Sequence, residues 1–257
     1  MEEQLSYLDV VLIGFASICG GFVNAIAGGG TLITFPTLTA LGVSPVIANV
    51  TNTVALCPGY IGGTIAQRSD LRGQEKRMWI LLPTGILGGI TGGVLLLSTS
   101  DATFRKLIPY LILTAVLLLA FQDRLRTSVM ARMSGSGRTH PHESWAIPLV
   151  FLAAIYGGYF GAGLGVMTLA VLGLVLDDSL TRLNALKQAL SFVINSAAAV
   201  FFLFSGKVLW TAAAVMVVGS LAGGVLGGRV ASRIKPIILR WMVITVGLIV
   251  AIIYFVR

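Results

Sequence analysis

The stretch Asn24-Ala25-Ile26-Ala27-Gly28-Gly29-Gly30-Thr31 decides the fold, and it lies in a run that carries no charge between Asp9 and Arg68. Each glycine costs a helix about 1 kcal/mol relative to alanine, so three in a row predict that a helix ends here. In lipid, a broken backbone is tolerated only where protein or a water-filled cavity satisfies the freed N–H and C=O groups. The stretch therefore predicts a helix break inside a membrane protein.

The composition supports this class. Of the 257 residues, 56% are hydrophobic and 11% are charged, against about 25% charged residues in a soluble domain. The net charge of +8 does not indicate nucleic-acid binding, because the basic residues lie between hydrophobic segments, as in cytoplasmic loops. Cys19 and Cys57 both lie in apolar sequence, which indicates neither a disulfide framework nor a thiolate metal site.

About 20 apolar residues span a bilayer. We predict full spans at residues 8–27, 46–66, 78–98, 104–121, 145–163, 184–205, 208–228 and 237–256, and short pieces at 31–41 and 166–176. A short piece of this length covers about 16 Å as a helix, half of the hydrocarbon core. The sequence leaves open whether these pieces cross the membrane or fold back as re-entrant hairpins.

The second half of the chain repeats the first. A shift of 135 residues aligns Gly28 with Gly163, Gly30 with Gly165, and Asn49 with Asn184. Residues 1–121 form the first repeat, 122–144 a cytoplasmic linker, and 145–257 the second repeat. Each half has an odd number of crossings, which predicts inverted repeats of four to five helical segments, with Gly-broken pieces near the midplane. The fold class is thus an all-α polytopic membrane protein.

Most of the 18 Lys and Arg residues lie in segments 68–77, 122–144 and 229–235. Basic residues near membrane spans favour the cytoplasmic side. We therefore expect these segments in the cytoplasm and the N-terminus outside.

Polar residues follow one face of two predicted spans. In the second half this face carries Asn184, Lys187, Ser191 and Asn195, with Gln188 beside it. In the first half the corresponding residues are Asn49, Thr51, Asn52, Thr53 and Tyr60. Polar residues within a span must face protein or a cavity, so these two faces are candidate parts of a binding site.

The predicted site suits an anion. Glycine breaks expose backbone N–H groups at the start of a half-helix, where the helix dipole is positive. Lys187 adds a positive charge, and apart from Asp9 at the very start of the span 8–27 no carboxylate lies within a span to bind a cation.

Other readings stay open. The glycines of 27–30 can serve helix packing, Lys187 can extend to the cytoplasmic interface, and Asn and Thr can simply join helices. For the glycines at 88–93 and 223–228 packing is the favoured reading. His140 and His142 belong to the polar linker and do not indicate a metal site. In the turn Asp177-Asp178-Ser179 either Asp or Ser can cap the helix that follows, and Asp177 and Asp178 are expected to form a cap and not a proton site.

We find no catalytic motif: the chain has no HExxH, nucleophile elbow or Walker loop. This predicts a protein that is not an enzyme and that has no cofactor and no metal. The chain has no ATP-binding domain, so any pumping is secondary, unless the protein equilibrates its substrate passively.

The run Ala27-Gly28-Gly29-Gly30-Thr31-Leu32-Ile33, followed by Leu41-Gly42-Val43 and Ala48-Asn49-Val50-Thr51-Asn52, resembles the sulfite exporter TauE/SafE family. The run Gly158-Tyr159-Phe160-Gly161-Ala162-Gly163-Leu164-Gly165 is similar to that family's repeat. Family members commonly have Gly-Thr-Ser after the alanine of the second motif, where this chain has Asn49-Val50-Thr51-Asn52, which leaves the substrate within the class open.

The resemblance implies a secondary transporter of the bacterial inner membrane for sulfite, sulfoacetate or another organosulfonate. It implies that the Gly-rich segments and their polar neighbours line the substrate path: Asn24, Gly28, Gly29, Gly30, Thr31, Asn49, Thr51, Asn52, Gly163, Gly165, Lys187, Gln188 and Asn195. The expected partners are a small anion and the lipid bilayer, without nucleic acid, and a homodimer stays open. The alternatives are an anion-selective channel or a transporter of a small carboxylate.

Overall fold

The structure, a computed structural model, describes residues 5–26, 29–124, 127, 143–230 and 236–256. The described residues are predominantly helical and contain no strand, so the predicted all-α fold class is confirmed. The helices are α1 (Tyr7–Ile26), α2 (Thr31–Ala40), α3 (Pro45–Ala66), α4 (Glu75–Ser98), α5 (Asp101–Ala120), α6 (Ala146–Tyr159), α7 (Leu164–Val175), α8 (Leu180–Leu203), α9 (Trp210–Val230) and α10 (Pro236–Val256).

Six of these helices are long and apolar enough to cross a membrane, namely α1, α4, α5, α8, α9 and α10. The short pieces predicted at 31–41 and 166–176 correspond to the apolar helices α2 and α7. Most of the predicted linker 122–144, including His140 and His142, lies outside the described residues.

The prediction of a full span at 145–163 is wrong. Helix α6 has only 14 residues and ends at Tyr159. Gly161 and Gly163 follow with φ values of 78° and 75°, in the left-handed region that glycine adopts without steric cost. The glycines thus end the helix before it is long enough to cross.

Helices α6 and α7 form a hairpin whose open end is held by Arg77 in the first turns of α4. The Arg77 guanidinium pairs with Glu143, just before α6, and with Asp178, just after α7, at 2.5 and 2.6 Å. Asp178 also accepts a hydrogen bond from Nε of Arg182 at 2.7 Å. The two outer ends of the hairpin therefore lie together, and the glycine break forms its tip.

These contacts correct one prediction. The residue that caps α8 is Ser179, whose hydroxyl accepts a hydrogen bond from the Arg182 N–H at 3.4 Å. Asp177 and Asp178 are not the cap. The Asp178 carboxylate is engaged by two arginines instead, because both guanidinium groups reach the turn between α7 and α8.

Helices α1 and α2 form a second hairpin. A Cβ atom at Gly30 would lie 2.4 Å from the carbonyl oxygen of Gly20, and one at Gly20 would lie 2.7 Å from Cγ2 of Thr34. Helix α2 therefore folds back along α1 at a separation that only glycine permits.

Glycines also join each hairpin to the other half of the chain. A Cβ atom at Gly223 of α9 would lie 2.0 Å from the carbonyl oxygen of Ile18 in α1. A Cβ atom at Gly92 of α4 would lie 2.1 Å from the carbonyl oxygen of Ile155 in α6. Small residues allow such close approach of helices in lipid. The prediction that these glycine faces serve packing is thus confirmed at both positions.

The remaining helices pair across the two halves in opposite directions. Gln67, at the end of α3, accepts a hydrogen bond from Asn184 near the start of α8, while Thr51 near the start of α3 accepts one from the N–H of Leu209, beyond the end of α8. Helices α5 and α10 also run antiparallel, with Asp123 against Arg240 and Tyr110 against Phe255. These two antiparallel pairs, α3 with α8 and α5 with α10, therefore join the two halves of the chain.

We expect Gly223→Ala to lower the Tm of the purified protein by several degrees. The new methyl group must displace the α1 backbone at Ile18, and overpacking of this kind costs about 1–3 kcal/mol. Gly224→Ala is the matched control, because no atom outside its own helix lies within 4 Å of the new Cβ. Equal Tm values for the two variants would contradict the packing role of Gly223.

We expect Arg77→Gln to loosen the open end of the α6–α7 hairpin. The change removes the charge that holds Glu143 and Asp178 together, so hydrogen exchange should accelerate in residues 143–146 and 176–180. Arg68→Gln, an exposed arginine of the same loop, should leave exchange in both segments unchanged. Exchange that is unaffected by Arg77→Gln would show that the ion pairs do not hold the hairpin.

Candidate functional site

The first glycine break is covered by apolar side chains. Gly29 has a φ of 89° and Gly30 caps α2, while Gly28 lies outside the described residues. A Cβ atom at Gly29 would lie 2.9 Å from Leu119 of α5 and 3.2 Å from Val243 of α10. Asn24 packs beside Gly30, because the Cβ atom of Asn24 lies 3.0 Å from the position that a Cβ atom at Gly30 would occupy. The break is thus closely packed on these sides.

The polar residues next to the first break bond to one another. The hydroxyl of Thr34 donates to Oδ1 of Asn52, and Nδ2 of Asn52 donates to the hydroxyl of Thr31 at 3.5 Å. All three side chains are buried. Both ends of the Asn52 amide therefore have partners within the first half of the chain.

The second break is held by two side chains that bind its carbonyl groups. The phenol of Tyr156 donates to the carbonyl oxygen of Ala162 at 2.7 Å. Nδ2 of Asn49, from α3 in the first half, donates to the carbonyl oxygen of Tyr159 at 2.8 Å. These bonds satisfy acceptors that the end of α6 leaves free. Sequence reasoning found Asn49 but not the role of Tyr156.

One face of α8 lies along the second break. The Cδ and Cε atoms of Lys187 are 3.9 and 4.0 Å from the position of a Cβ at Gly165, and Oδ1 of Asn195 is 3.6 Å from the position of a Cβ at Gly161. Ser191 lies one helical turn from each of these residues. The predicted polar face of α8 therefore does meet the predicted glycine break.

Several groups on this side lack a partner among the described residues. The hydroxyls of Ser191 and Thr168 are buried without a hydrogen bond, and the ammonium of Lys187 has neither a hydrogen bond nor an ion pair there. The N–H of Gly165, in the first turn of α7, also has no partner in the described part of the chain. Neither hydroxyl was among the predicted site residues, although Ser191 was on the predicted polar face.

Both breaks contact the same helix, α5, one turn apart. Gly29 lies against Leu119, and Gly163 lies against Ala115, whose Cα is 3.4 Å from the position of a Cβ there. The rings of Phe35 in α2 and Phe160 at the second break meet edge to face, with centroids 5.4 Å apart. The breaks are thus neighbours, and aromatic rings join α2 to the second break.

The remaining predicted residues lie elsewhere on the same helices. Thr51 is buried and bonded to the N–H of Leu209 at 3.0 Å. Gln188 is half-buried on α8, next to Lys187. Within the described residues, no group of three or more His, Cys, Asp or Glu side chains is placed to hold a metal ion.

The fold and the site define a polytopic α-helical membrane protein in which two glycine-broken hairpins meet polar faces of longer helices, an architecture typical of transporters. The chain belongs to the sulfite exporter TauE/SafE family, whose model matches residues 13–254. It is accordingly a membrane transporter of the TauE/SafE type.

Relatives agree in class. The chain is 29% identical over 249 residues to a probable membrane transporter protein of Haemophilus influenzae, which covers 95% of this chain and 92% of the relative. It is 25% identical over 258 residues to the probable membrane transporter protein YfcA of Escherichia coli, covering 97% and 91%. A probable membrane transporter protein, ORF9 of Sinorhizobium sp, is 26% identical over 259 residues, covering 97% and 94%. No solved structure matches the chain.

We expect the two glycines at the starts of α2 and α7 to respond differently to alanine. Gly30→Ala should lower the Tm by several degrees, since its Cβ would collide with the Gly20 carbonyl oxygen at 2.4 Å. Gly165→Ala should fold with a Tm close to that of the wild type, since its nearest neighbours are Lys187 atoms at ordinary contact distance. A larger loss of Tm for Gly165→Ala than for Gly30→Ala would contradict this difference in packing.

Proposed function

We propose that this protein is a secondary transporter that moves a small sulfur-containing anion, such as sulfite, sulfoacetate or another organosulfonate, by alternating access. The observation that supports this best is the position of Lys187. Its side chain lies within the candidate span α8, against the start of α7, with no partner among the described residues.

The energetics favour a functional role for this lysine. A charged side chain near the middle of a span costs about 2.5–3.5 kcal/mol or more. An ion pair would offset that cost, and none forms with the described residues. An anionic substrate would supply the missing negative charge. The positive end of the α7 dipole and the free N–H of Gly165 favour the same charge.

The proposed substrate path follows both breaks and their polar neighbours. In the first half it includes Asn24, Gly28, Gly29, Gly30, Thr31 and Asn52, and in the second half Gly163, Gly165, Lys187, Gln188 and Asn195, with Asn49 and Thr51 from α3. The contacts of both breaks with α5 support a single path, because the two sets are separated by about one helical turn of that helix.

We propose that the two halves are inverted repeats. Three sets of helix contacts support this. The packing of α1 against α9 corresponds to the packing of α6 against α4 when the two halves are exchanged. The two helices of the α3–α8 pair run antiparallel, and so do the two helices of the α5–α10 pair. An axis in the membrane plane relates such halves and provides alternating access, because one hairpin enters from each side. The positive-inside bias then places the N-terminus outside a bacterial inner membrane.

The sulfur chemistry of the substrate is inferred from the family, whereas the names of the relatives specify only membrane transport. A small carboxylate is the second candidate, because the same positive groups attract it. An anion channel is a third reading, and it differs in kinetics.

In proteoliposomes we expect saturable uptake of sulfoacetate or sulfite, with loss of uptake in Lys187→Ala. The mutation removes the one positive charge that faces the second break. Lys207→Ala, in the turn between α8 and α9, is the matched control and should retain wild-type uptake. Uptake that rises linearly with concentration would indicate a channel. Saturable uptake of acetate but of no sulfur anion would indicate a carboxylate transporter.

A further inference from the structure

The two glycine breaks differ in how their polar groups are satisfied. At the first break, the Asn52 amide is bonded at both ends, to Thr34 and to Thr31. The hydroxyl oxygen of Thr34, whose single proton is donated to Asn52, also lies 3.2 Å from the carbonyl oxygen of Gly30. These bonds join α3 to the start of α2. A ligand that bound there would have to break contacts that already satisfy the side chains.

The second break has free donors instead. Lys187 occupies the position equivalent to Asn52 under the 135-residue shift, but it has no partner among the described residues. The hydroxyl of Ser191 is buried and unbonded, and Ser191 is only 2% exposed. An unsatisfied buried hydroxyl is costly, so a bound acceptor at this position would be stabilised by it.

The free donors converge. Lys187, Ser191 and Asn195 are four residues apart and share one face of α8. The first packs against Gly165 and the last against Gly161, so Ser191, one turn from each on the same face of α8, lies opposite the backbone between those glycines. Gly165, whose N–H has no partner among the described residues, packs against the Lys187 stem. Thr168, three residues further along α7, shares the Gly165 face and is also unbonded.

The charge of this cluster is a single positive one. The nearby Asp178 carboxylate is engaged by Arg77 and Arg182 at the open end of the hairpin, and none of the described acidic residues pairs with Lys187. A bound monoanion would neutralise the cluster. A dianion would leave a net negative charge within the span, where an unpaired charge is least stable.

We propose that the anion binds at the second break alone, as a monoanionic head group held by the Lys187 ammonium, the Ser191 hydroxyl and the Gly165 N–H, while the first break is a structural joint. This rests on the proposed function, which it restricts to one half of the chain and to a head group with a single negative charge; the carboxylate of sulfoacetate is a second charge that lies outside that head group. Three donors match the three oxygens of a sulfonate or of hydrogen sulfite.

The test is a binding measurement on the purified full-length protein in detergent, by ligand-dependent thermal shift and calorimetry. The probes are methanesulfonate as a monoanion, sulfate as a dianion of similar shape, and dimethyl sulfone as a neutral analogue. We expect stabilisation by methanesulfonate only, since a ligand that binds the folded state raises the Tm.

Variants at each glycine break test which of the two breaks binds the anion. Lys187→Gln should weaken methanesulfonate binding roughly thirtyfold or more, and Ser191→Ala about tenfold. Thr34→Val should lower the Tm, because Asn52 loses its bond, but should keep wild-type affinity. Lys207→Gln controls for the loss of a lysine outside the cluster, and it should change neither affinity nor Tm.

The outcomes distinguish this proposal from the broader function. Equal affinity for sulfate or dimethyl sulfone would overturn the charge argument, and a loss of affinity in Thr34→Val equal to that in Ser191→Ala would overturn the restriction to one half. Absence of methanesulfonate binding alongside saturable sulfoacetate uptake would overturn the inference alone. Absence of both binding and uptake of any sulfur anion would overturn the proposed function as well.

Discussion

The structure depends on a constraint that lipid imposes on a broken helix. Where a helix stops inside the membrane, its last carbonyl groups and the first N–H groups of the next helix lose their partners, and no water replaces them. Here the carbonyl groups at the second break are satisfied by Tyr156 and Asn49. The break is stable because side chains from both halves of the chain reach it.

The same constraint explains the glycines that lie far from the breaks. A half-length helix contacts few neighbours, so each neighbour must approach closely to contribute enough dispersion energy. Helix α6 meets α4 at Gly92 and Gly158, and α1 meets α9 at Gly21 and Gly223, at separations that exclude any side chain. These glycines therefore let helices of the two halves pack closely against each other, α4 on the short helix α6 and α9 on α1.

Much of this fold follows from local sequence. Hydrophobic length predicts the long helices, and the triple glycine predicts the first break, because both effects act within a few residues. The end of α6 was predicted four residues too late. The reason is that the positive φ angles of Gly161 and Gly163 depend on the folded structure and cannot be recognised in the sequence. The contacts of Arg77 could not be predicted from local sequence either, because they join residues about 65 and 100 positions apart. The polar faces were predicted, but which of their groups already have partners depends on the rotamers of neighbouring helices.

The proposed duplication of the two halves offers a physical account of the difference between the two breaks. Two equivalent hairpins need equivalent packing, and the glycine contacts of both have been kept. Their polar positions need not remain equivalent, because a buried amide that bonds to two threonines stabilises the protein, whereas a partly buried lysine without a partner inside a span destabilises it. Asn52 and Lys187 occupy matching positions in the two halves and have these opposite effects. A protein retains the destabilising member of such a pair where a ligand completes its interactions. Under the proposed inverted repeat, this asymmetry supports the proposal that the second hairpin is the one that meets the substrate.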